Sequence, residues 1–109
     1  MTVINRYRGD TKPVTGVVSL AGVALDVTGC TFILTVDPAK APADATNNLF
    51  SLTGTIVNAA TGSIKFPMTA TQSNQTPGTY YYDIQLVDAV GDKHTIALDR
   101  FGFLQDITK

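Results

Sequence analysis

The feature that most limits the fold of this chain is the alternation of apolar and polar residues in four separate stretches. The stretches "TFILTV", "LFSLTGTI", "SIKFPM" and "YYYDIQL" place apolar side chains at every second position. Because successive side chains of a strand point to opposite faces of a sheet, each stretch is typical of a strand with one buried face. No window has the spacing of an amphipathic helix. We therefore expect an all-β protein.

The usage of acidic residues and threonine favours the same fold class. All nine acidic residues are Asp, and Thr is among the most frequent residues. Asp favours turns and Thr favours pleated surfaces, whereas the exposed faces of helices normally contain Glu. Both preferences are those of a chain made of strands and turns.

The alternation also predicts which side chains form the core. Residues in phase on one face of each strand should be buried together, since a one-residue shift would turn the whole set to solvent. The predicted core consists of Phe32, Leu34, Phe50, Leu52, Ile64, Phe66, Tyr80, Tyr82, Ile84, Leu86, Ile96 and Leu98. An earlier strand of the same kind is indicated by Val14, Val18 and Leu20, and it continues through Val23, Leu25 and Val27 after a turn at Ala21-Gly22.

Turn residues separate the predicted strands. The segments "NAATG" (58–62) and "DAVGD" (88–92) are typical of hairpins, with Gly in the left-handed position of the first. Neighbouring strands are therefore expected to be antiparallel. The segment "DPAKAPADATNN" (37–48) has two Pro and no periodicity, and it predicts a long exposed crossover between two sheets.

Two irregularities are expected in the strands. Pro67 has no N–H to donate to a neighbouring strand, which places the "SIKFPMT" strand at a sheet edge or gives it a bulge. In the last strand, Ile96 and Leu98 share one face, but Phe101 and Phe103 are out of phase with them. An extra residue near Asp99-Arg100 would restore the phase, so we expect a bulge there.

Together these elements predict a single domain, residues 1–109, folded as an immunoglobulin-like antiparallel β-sandwich of about seven strands. Short strands at regular spacing with one long crossover describe a sandwich better than a closed barrel. Gly78, Tyr80 and Tyr82 have the spacing of the tyrosine corner of immunoglobulin-like domains, with Tyr82 at the position of a cysteine in antibodies. The alternative interpretation is that these tyrosines are ordinary strand residues.

Charge and hydropathy exclude several classes of function. The chain is 44% hydrophobic and 16% charged, with a net charge of −1, which disfavours disorder and leaves no basic face for nucleic acid. No apolar run approaches the length that spans a bilayer, and the N-terminus lacks the pattern of a secretion signal. We expect a soluble protein made in a cytoplasm, with no nucleic-acid or membrane partner.

The residue types that catalysis needs are scarce. His94 is the single histidine, which excludes a multi-histidine metal site and leaves one imidazole partner for any nucleophile. Cys30 begins an apolar run and is expected to be a buried small side chain rather than a nucleophile. Asp88, Asp92 and Asp99 are an alternative calcium site, but their spacing matches no calcium loop. We therefore expect no enzyme, no cofactor and no metal.

An ordered series of short motifs extends over nearly the whole chain. It runs from "RGDTKP" through "LDVTG", "NAATGSIKFPMT", "TPGTYYYDIQL" and "GDKHT" to the closing "FGFLQDIT". In this order the motifs resemble the small immunoglobulin-like proteins and domains of tailed-bacteriophage virions. The resemblance is greatest to the N-terminal domain of phage upper-baseplate proteins. Each motif is also ordinary β-sandwich chemistry, so the series as a whole carries the resemblance.

The resemblance implies a non-enzymatic structural component of the virion, made in the bacterial host cytoplasm and located in the tail, the baseplate or an accessory surface. Its partners would be other phage structural proteins, with further copies of the chain as a homo-oligomer in the particle. Alternatives are a binding module for carbohydrate or a host surface, and a capsid decoration protein. Exposed edges, the N-terminal segment and the long loop are the expected contacts. The candidate partner-binding residues are Thr2, Val3, Ile4, Asn5, Arg6, Asp44, Asn47, Asn48 and Tyr81.

The tripeptide Arg8-Gly9-Asp10 is one that integrin-type adhesion receptors bind on exposed loops. A three-residue match arises by chance in roughly 2% of chains of this length at average residue frequencies. Under the resemblance, Gly9-Asp10-Thr11 belongs to the entry into the first sheet, and Arg8 completes the tripeptide by coincidence. We expect no integrin binding and no loop-tip setting around Arg8.

Overall fold

The computed structural model describes residues 3–20, 23–39 and 48–105. These residues form ten strands and one single-turn helix. The strands are β1 (Ile4–Tyr7), β2 (Val14–Val17), β3 (Ser19–Leu20), β4 (Val23–Ala24), β5 (Thr31–Asp37), β6 (Phe50–Thr53), β7 (Thr55–Asn58), β8 (Ser63–Phe66), β9 (Gly78–Val87) and β10 (Lys93–Leu104), and the helix is α1 (Ala70–Ser73). The predicted all-β fold is confirmed. The single turn of α1 is too short to produce a helical period in the sequence.

The strands pair into a large sheet, a small sheet and a hairpin. The large sheet has the order β1-β10-β9-β5-β6, the small sheet has the order β2-β8-β7, and β3 pairs with β4. The two larger sheets form a β-sandwich. Two expectations are corrected. The described residues form ten strands rather than about seven, and β1 runs parallel to β10 rather than antiparallel. Parallel pairing of the first and last strands joins segments far apart in sequence, so no local turn predicts it.

One hydrophobic core lies between the two sheets. The large sheet contributes Phe32, Leu34 and Val36 from β5 and Phe101 and Phe103 from β10, all nearly inaccessible to solvent. The small sheet faces them with three side chains: Val14, Ile64 and Phe66. Burial of such aliphatic and aromatic side chains contributes about 1.5–3 kcal/mol each, so this layer is the main source of stability.

The predicted core is right for most of its members and wrong for one. Phe32, Leu34, Leu52, Ile64, Phe66, Tyr82 and Leu86 are buried, and Phe50, Tyr80, Ile84 and Ile96 are half-buried against them. Leu98 is 47% exposed and points away from the core.

The position of a β-bulge explains the error at Leu98. The register between β10 and β9 shifts between Thr95 and Ala97, so the extra residue is Ile96. The expected bulge is present, but it lies before Leu98 rather than after it. Ala97 therefore takes the inward position and Leu98 the outward one, and Phe101 and Phe103 face the core as their burial shows.

The connection from β5 to β6 differs from its prediction. The two strands are antiparallel neighbours in the large sheet, with Val36 opposite Phe50 and Ile33 opposite Thr53. Segment 37–48 therefore joins strands of one sheet and is not a crossover between sheets. The chain changes sheets after β6, at Gly54, whose N–H donates to the Phe32 carbonyl oxygen at 2.7 Å. A Cβ at Gly54 would lie 2.7 Å from the Phe32 Cβ and 2.9 Å from Phe66 Cε1, so only glycine fits this corner.

The strand that precedes Pro67 is the middle strand of the small sheet, because β8 pairs with both β2 and β7. Of the two alternatives predicted for this strand, the edge position is wrong, and the irregularity of the β7–β8 ladder falls between Ile56 and Asn58 of the partner strand β7 rather than in β8. Proline is tolerated because β8 ends at Phe66, so no ladder needs the missing N–H. The predicted hairpin between β7 and β8 is confirmed, with Gly62 at φ +71°.

The predicted hairpin between β9 and β10 is confirmed as well, with Asp88 N–H donating to the Asp92 carbonyl oxygen at 2.9 Å.

A hydrogen bond typical of a tyrosine corner is present at the start of β9. The Tyr80 hydroxyl donates to the Thr76 carbonyl oxygen at 2.7 Å, and Tyr82, two residues later, is buried in the core.

The segment around the predicted Ala21-Gly22 turn forms the β3–β4 hairpin, with Ser19 opposite Ala24. The turn residues themselves and the Leu20 side chain lie outside the described residues. The predicted inward face is only partly right, because Val27 is buried but Val23 is exposed.

In the described ranges, no helix is long and apolar enough to cross a membrane.

Candidate functional site

The five-stranded large sheet has one face on the core and an outer face turned away from it. Because Tyr82, Leu34 and Phe101 point inward, their neighbours along each strand point outward. These outward residues include Ile33 and Leu98, both exposed. Thr35 and Ser51 meet across β5 and β6, with their hydroxyl oxygens 3.0 Å apart. The outer face therefore combines exposed aliphatic side chains with polar ones, and residues of β9 separate Ile33 from Leu98.

Four residues at the centre of this face form a rectangle that we call the outer-face quartet: Tyr81, Asp83, Leu98 and Arg100. Leu98 is opposite Asp83, and Arg100 is opposite Tyr81, across the β9–β10 ladder. The two charged residues therefore occupy one diagonal of the quartet, and the two residues with apolar or aromatic bodies occupy the other. The bulge at Ile96 creates this arrangement, since it turns both Leu98 and Arg100 outward.

The charges of the quartet are not paired with each other. Within the described part of the chain, no ion pair joins Asp83 to Arg100, and the nearest carboxylate oxygen to the Arg100 Nε is that of Asp99, at 4.0 Å. Partial burial raises the pKa of Asp83, as desolvation does for a carboxylate without a nearby cation. The Arg100 side chain is 61% exposed, which leaves its guanidinium accessible.

The N-terminal segment presents only part of its predicted contact residues. Val3 and Asn5 are exposed, whereas Ile4 is 8% exposed and packs in the core. The Ile4 assignment is corrected, because its place opposite Phe101 in the β1–β10 ladder turns it inward. The Asn5 side chain fills the space above Gly102, where a Cβ would collide with it. Thr2 lies outside the described residues.

Arg6 stabilises the local structure rather than extending into solvent. Its guanidinium donates to the carbonyl oxygens of Asn5, Lys12 and Pro13 at 2.8, 3.3 and 3.0 Å. Burial lowers the Arg6 pKa, and the nearby Asp10 carboxylate opposes that shift. Arg6 thus fastens the segment between β1 and β2 to the edge of the large sheet.

The segment 37–48 is described at its two ends only. Asp37 is buried, and its Oδ1 accepts a hydrogen bond from the Ala39 N–H at 2.7 Å. Asn48 is half-buried, and Leu49 N–H donates to the Val36 carbonyl oxygen at 2.8 Å. Asp44 and Asn47 lie outside the described residues. Tyr81, the last predicted contact, is half-buried on the outer face beside Asp37 and Arg100.

The Arg8-Gly9-Asp10 tripeptide occupies a turn, contrary to the expectation that Arg8 has no loop-tip setting. Asp10 N–H donates to the Tyr7 carbonyl oxygen at 3.2 Å, and Gly9 has φ +83°. The Arg8 guanidinium is engaged, however, because it donates to Asn74 Oδ1 at 2.9 Å and to Gln105 Oε1 at 3.3 Å.

A buried serine anchors this turn from the other side. The Ser73 hydroxyl, at the end of α1, donates to the Asp10 carbonyl oxygen at 2.7 Å. The helix itself is held by a capping box, in which Thr69 and Gln72 exchange side-chain and backbone hydrogen bonds. The tripeptide is therefore part of a hydrogen-bonded support for the strand β1.

The residues considered for catalysis or metal binding are brought together only in part, because Asp88, Asp92 and His94 meet at the β9–β10 turn while Asp99 and Cys30 lie elsewhere. His94 is exposed, and its Nε2 lies 3.3 Å from Asp88 Oδ2. Asp88 Oδ1 accepts the N–H groups of Val90 and Asp92, so this carboxylate orders the turn. Asp99 lies six residues along β10 from Lys93, roughly 20 Å from the turn at the usual rise of a strand. Cys30 is half-buried and packs against the core.

Sequence reasoning found Tyr81 but missed its three companions in the quartet. Leu98 was assigned to the core because Ala97 is too small to mark the phase of the strand. Asp83 and Arg100 are ordinary outward residues until the β9–β10 register places them on one diagonal. Ile33 is an aliphatic residue at an outward position of β5. An aliphatic residue at such a position indicates that the outer face differs from a fully solvated sheet face.

The sequence matches no protein-family model and has no significant similarity to a curated protein.

Proposed function

We propose that this chain is a non-enzymatic structural protein of a tailed-bacteriophage virion, which docks onto other virion proteins in the tail, the baseplate or an accessory surface. Two observations support the proposal: the ordered motif series of the sequence and the outer face of the large sheet. The outer face carries the argument, because it presents aliphatic and aromatic side chains next to two opposite charges that do not pair with each other, on a five-stranded sheet.

The physical role of such a face is adhesion between subunits. A sheet holds its outward side chains at fixed spacing, so shape and charge complementarity can be specified without ordering a flexible loop. Repetition of one modest contact around a symmetric particle gives a stable assembly, since each copy engages more than one neighbour. The arrangement of the quartet suits this role better than it suits chemistry on a substrate.

A carbohydrate-binding module is the second candidate, and Tyr81 is the observation that favours it. Its ring lies on an open sheet face between Asp83 and Arg100, which resembles the aromatic and hydrogen-bonding groups that recognise a sugar. Glycan arrays with purified protein distinguish the candidates. Saturable, sugar-specific binding that is lost in a Tyr81→Ala variant would favour this second function, and its absence would favour adhesion between subunits.

Mass spectrometry of purified particles is the direct test of the proposal. We expect the chain in intact virions, in several copies, and in the tail fraction after heads and tails are separated. Recovery with heads alone would instead indicate a capsid decoration protein. Abundance in infected cells with absence from virions would contradict the structural role.

A further inference from the structure

The outer-face quartet has the pattern of a surface that fits a copy of itself. Its charged corners, Asp83 and Arg100, lie on one diagonal, and its other corners, Leu98 and Tyr81, lie on the second. At the usual spacings of about 4.8 Å between strands and about 6.8 Å between alternate residues, each diagonal is roughly 8 Å long.

We propose that the outer face of the large sheet binds the same face of a second copy of this chain, with a two-fold axis along the Leu98–Tyr81 diagonal. Rotation about that axis places Asp83 of each copy against Arg100 of the other. It also brings Leu98 against Leu98 and Tyr81 against Tyr81. Each residue of the quartet thus faces either the opposite charge or the same side chain of the second copy.

The geometry belongs to a known class of sheet packing. An axis along this diagonal makes the strands of the two copies cross at roughly 70°, given the spacings of strands and residues in a sheet. Sheets pack face to face either nearly aligned or nearly orthogonal, and this crossing lies close to the orthogonal class. The arrangement is closed, because a two-fold contact uses the same patch on both copies and leaves none free to extend a chain of subunits.

The charges identify a second copy as the occupant. Asp83 and Arg100 form no ion pair with each other within one copy, and both side chains are at least partly accessible to solvent. The desolvation that raises the Asp83 pKa would be offset by a guanidinium from the facing copy. An unrelated partner would need its own matching pair of charges, whereas a second copy has that pair by symmetry.

This inference deepens the proposed function and rests on it for the biological setting, since a structural protein of a particle is expected to contact its own kind. The two are tested separately. Self-association is measured with purified protein in solution, whereas membership of the particle is measured on virions. A monomeric protein found in virions would overturn this inference and keep the proposed function.

Exchange of the two charges is the sharpest experiment. Sedimentation velocity over a wide range of concentrations measures the dimer dissociation constant of the unaltered chain, of Arg100→Asp, of Asp83→Arg and of the variant with both changes. Each single change places like charges opposite one another and is expected to weaken the dimer on the order of tenfold or more. The combined variant restores opposite charges and should recover most of the affinity.

Lys65→Asp is the matched control. Lys65 lies between the buried Ile64 and Phe66 in β8, so its side chain points away from the core on the small sheet, and the substitution changes the net charge as Arg100→Asp does. It should leave the dimer unchanged, and circular dichroism should show that every variant is folded. A monomeric unaltered chain, or a dimer insensitive to both single exchanges, would overturn the proposal, as would glycan binding at Tyr81 by a monomer.

Discussion

The Tyr80 hydroxyl donates a hydrogen bond to the Thr76 carbonyl oxygen at 2.7 Å, joining the start of β9 to the segment that precedes it. Tyr80→Phe removes this bond and keeps the ring, whose centroid lies 5.5 Å from that of Phe103. We expect a loss of about 0.5–1.5 kcal/mol in the free energy of unfolding, as for a single hydrogen bond. Urea denaturation measures it. Tyr81→Phe, on the opposite face, is the control and should change stability by less than about 0.5 kcal/mol.

Truncation of Phe32 and of Leu98 should have very different effects. Phe32 is 1% exposed, so Phe32→Ala leaves a cavity and is expected to cost about 3–5 kcal/mol. Leu98→Ala should cost less than about 0.5 kcal/mol in the monomer, because its side chain faces outward. Ile84→Ala should fall between them, since Ile84 is half-buried. A loss at Leu98 equal to that at Phe32 would place the bulge elsewhere.

Substitution of Gly54 should be much more harmful than substitution of Gly16. A Cβ at Gly54 would overlap Phe32 and Phe66, whereas a Cβ at Gly16 has no atom within 4 Å. Gly54→Ala is expected to lower the free energy of unfolding by about 1–3 kcal/mol through overpacking. Gly16→Ala should be neutral or slightly stabilising, because it reduces the entropy of the unfolded chain. Thermal unfolding of the two variants measures the difference.

Asp10→Glu should leave folding and particle incorporation intact while destroying the adhesion tripeptide. The Asp10 carbonyl oxygen accepts a hydrogen bond from the Ser73 hydroxyl, and the Asp10 N–H donates to the Tyr7 carbonyl oxygen. The Glu side chain leaves both backbone bonds in place and keeps a negative charge near Arg6. We expect an unchanged unfolding midpoint and no integrin-dependent attachment of animal cells for either protein. Attachment by the unaltered chain that is lost in the variant would establish an adhesion function.

Acid should destabilise the β9–β10 turn through Asp88. Partial desolvation raises the pKa of Asp88, but hydrogen bonds from Asp92, His94 and Val90 outweigh it, so the pKa lies below its ordinary value. A lowered pKa in the folded state stabilises the protein above the unfolded value of about 3.9, and this contribution disappears as pH falls further. Asp88→Asn should therefore show a smaller loss of stability than the unaltered chain between neutral pH and the acid range.

Denaturant titrations at several pH values test this expectation. Asp92→Asn is the matched control, because Asp92 bonds to Asp88 only through its backbone N–H and carbonyl oxygen. An Asp88→Asn variant with the acid sensitivity of the unaltered chain would show that the hydrogen bonds to this carboxylate do not stabilise the turn.

The alternation of side chains was sufficient to find the strands that form the core. In β5 and β8, each apolar residue at the predicted phase is buried, because one face of each strand must cover the other sheet. Hairpins at 58–62 and 88–92 were likewise predictable from residues that favour turns. These features depend on neighbours in sequence, so a single chain reveals them.

Features that depend on distant contacts were not predictable. The parallel pairing of β1 with β10 has no local signal, and neither has the central place of β8. The bulge illustrates the limit: the phases of Ile96 and Phe101 indicate an irregularity in β10, but Ala97 is too small to show that Ile96 itself is the extra residue. The quartet was missed for this reason, since both Leu98 and Arg100 owe their direction to that position.

The parallel ladder between β1 and β10 also determines how the domain responds to mechanical force. Ile4 lies opposite Phe101 and Tyr7 opposite Leu104, so both strands run in the same direction side by side. A pull applied before Ile4 and after Leu104 therefore slides one strand along the other. The hydrogen bonds of this ladder share the load and must break together, whereas the bonds of a hairpin pulled open at its end break one after another. The fold thus resists tension along the chain by shear between its first and last strands.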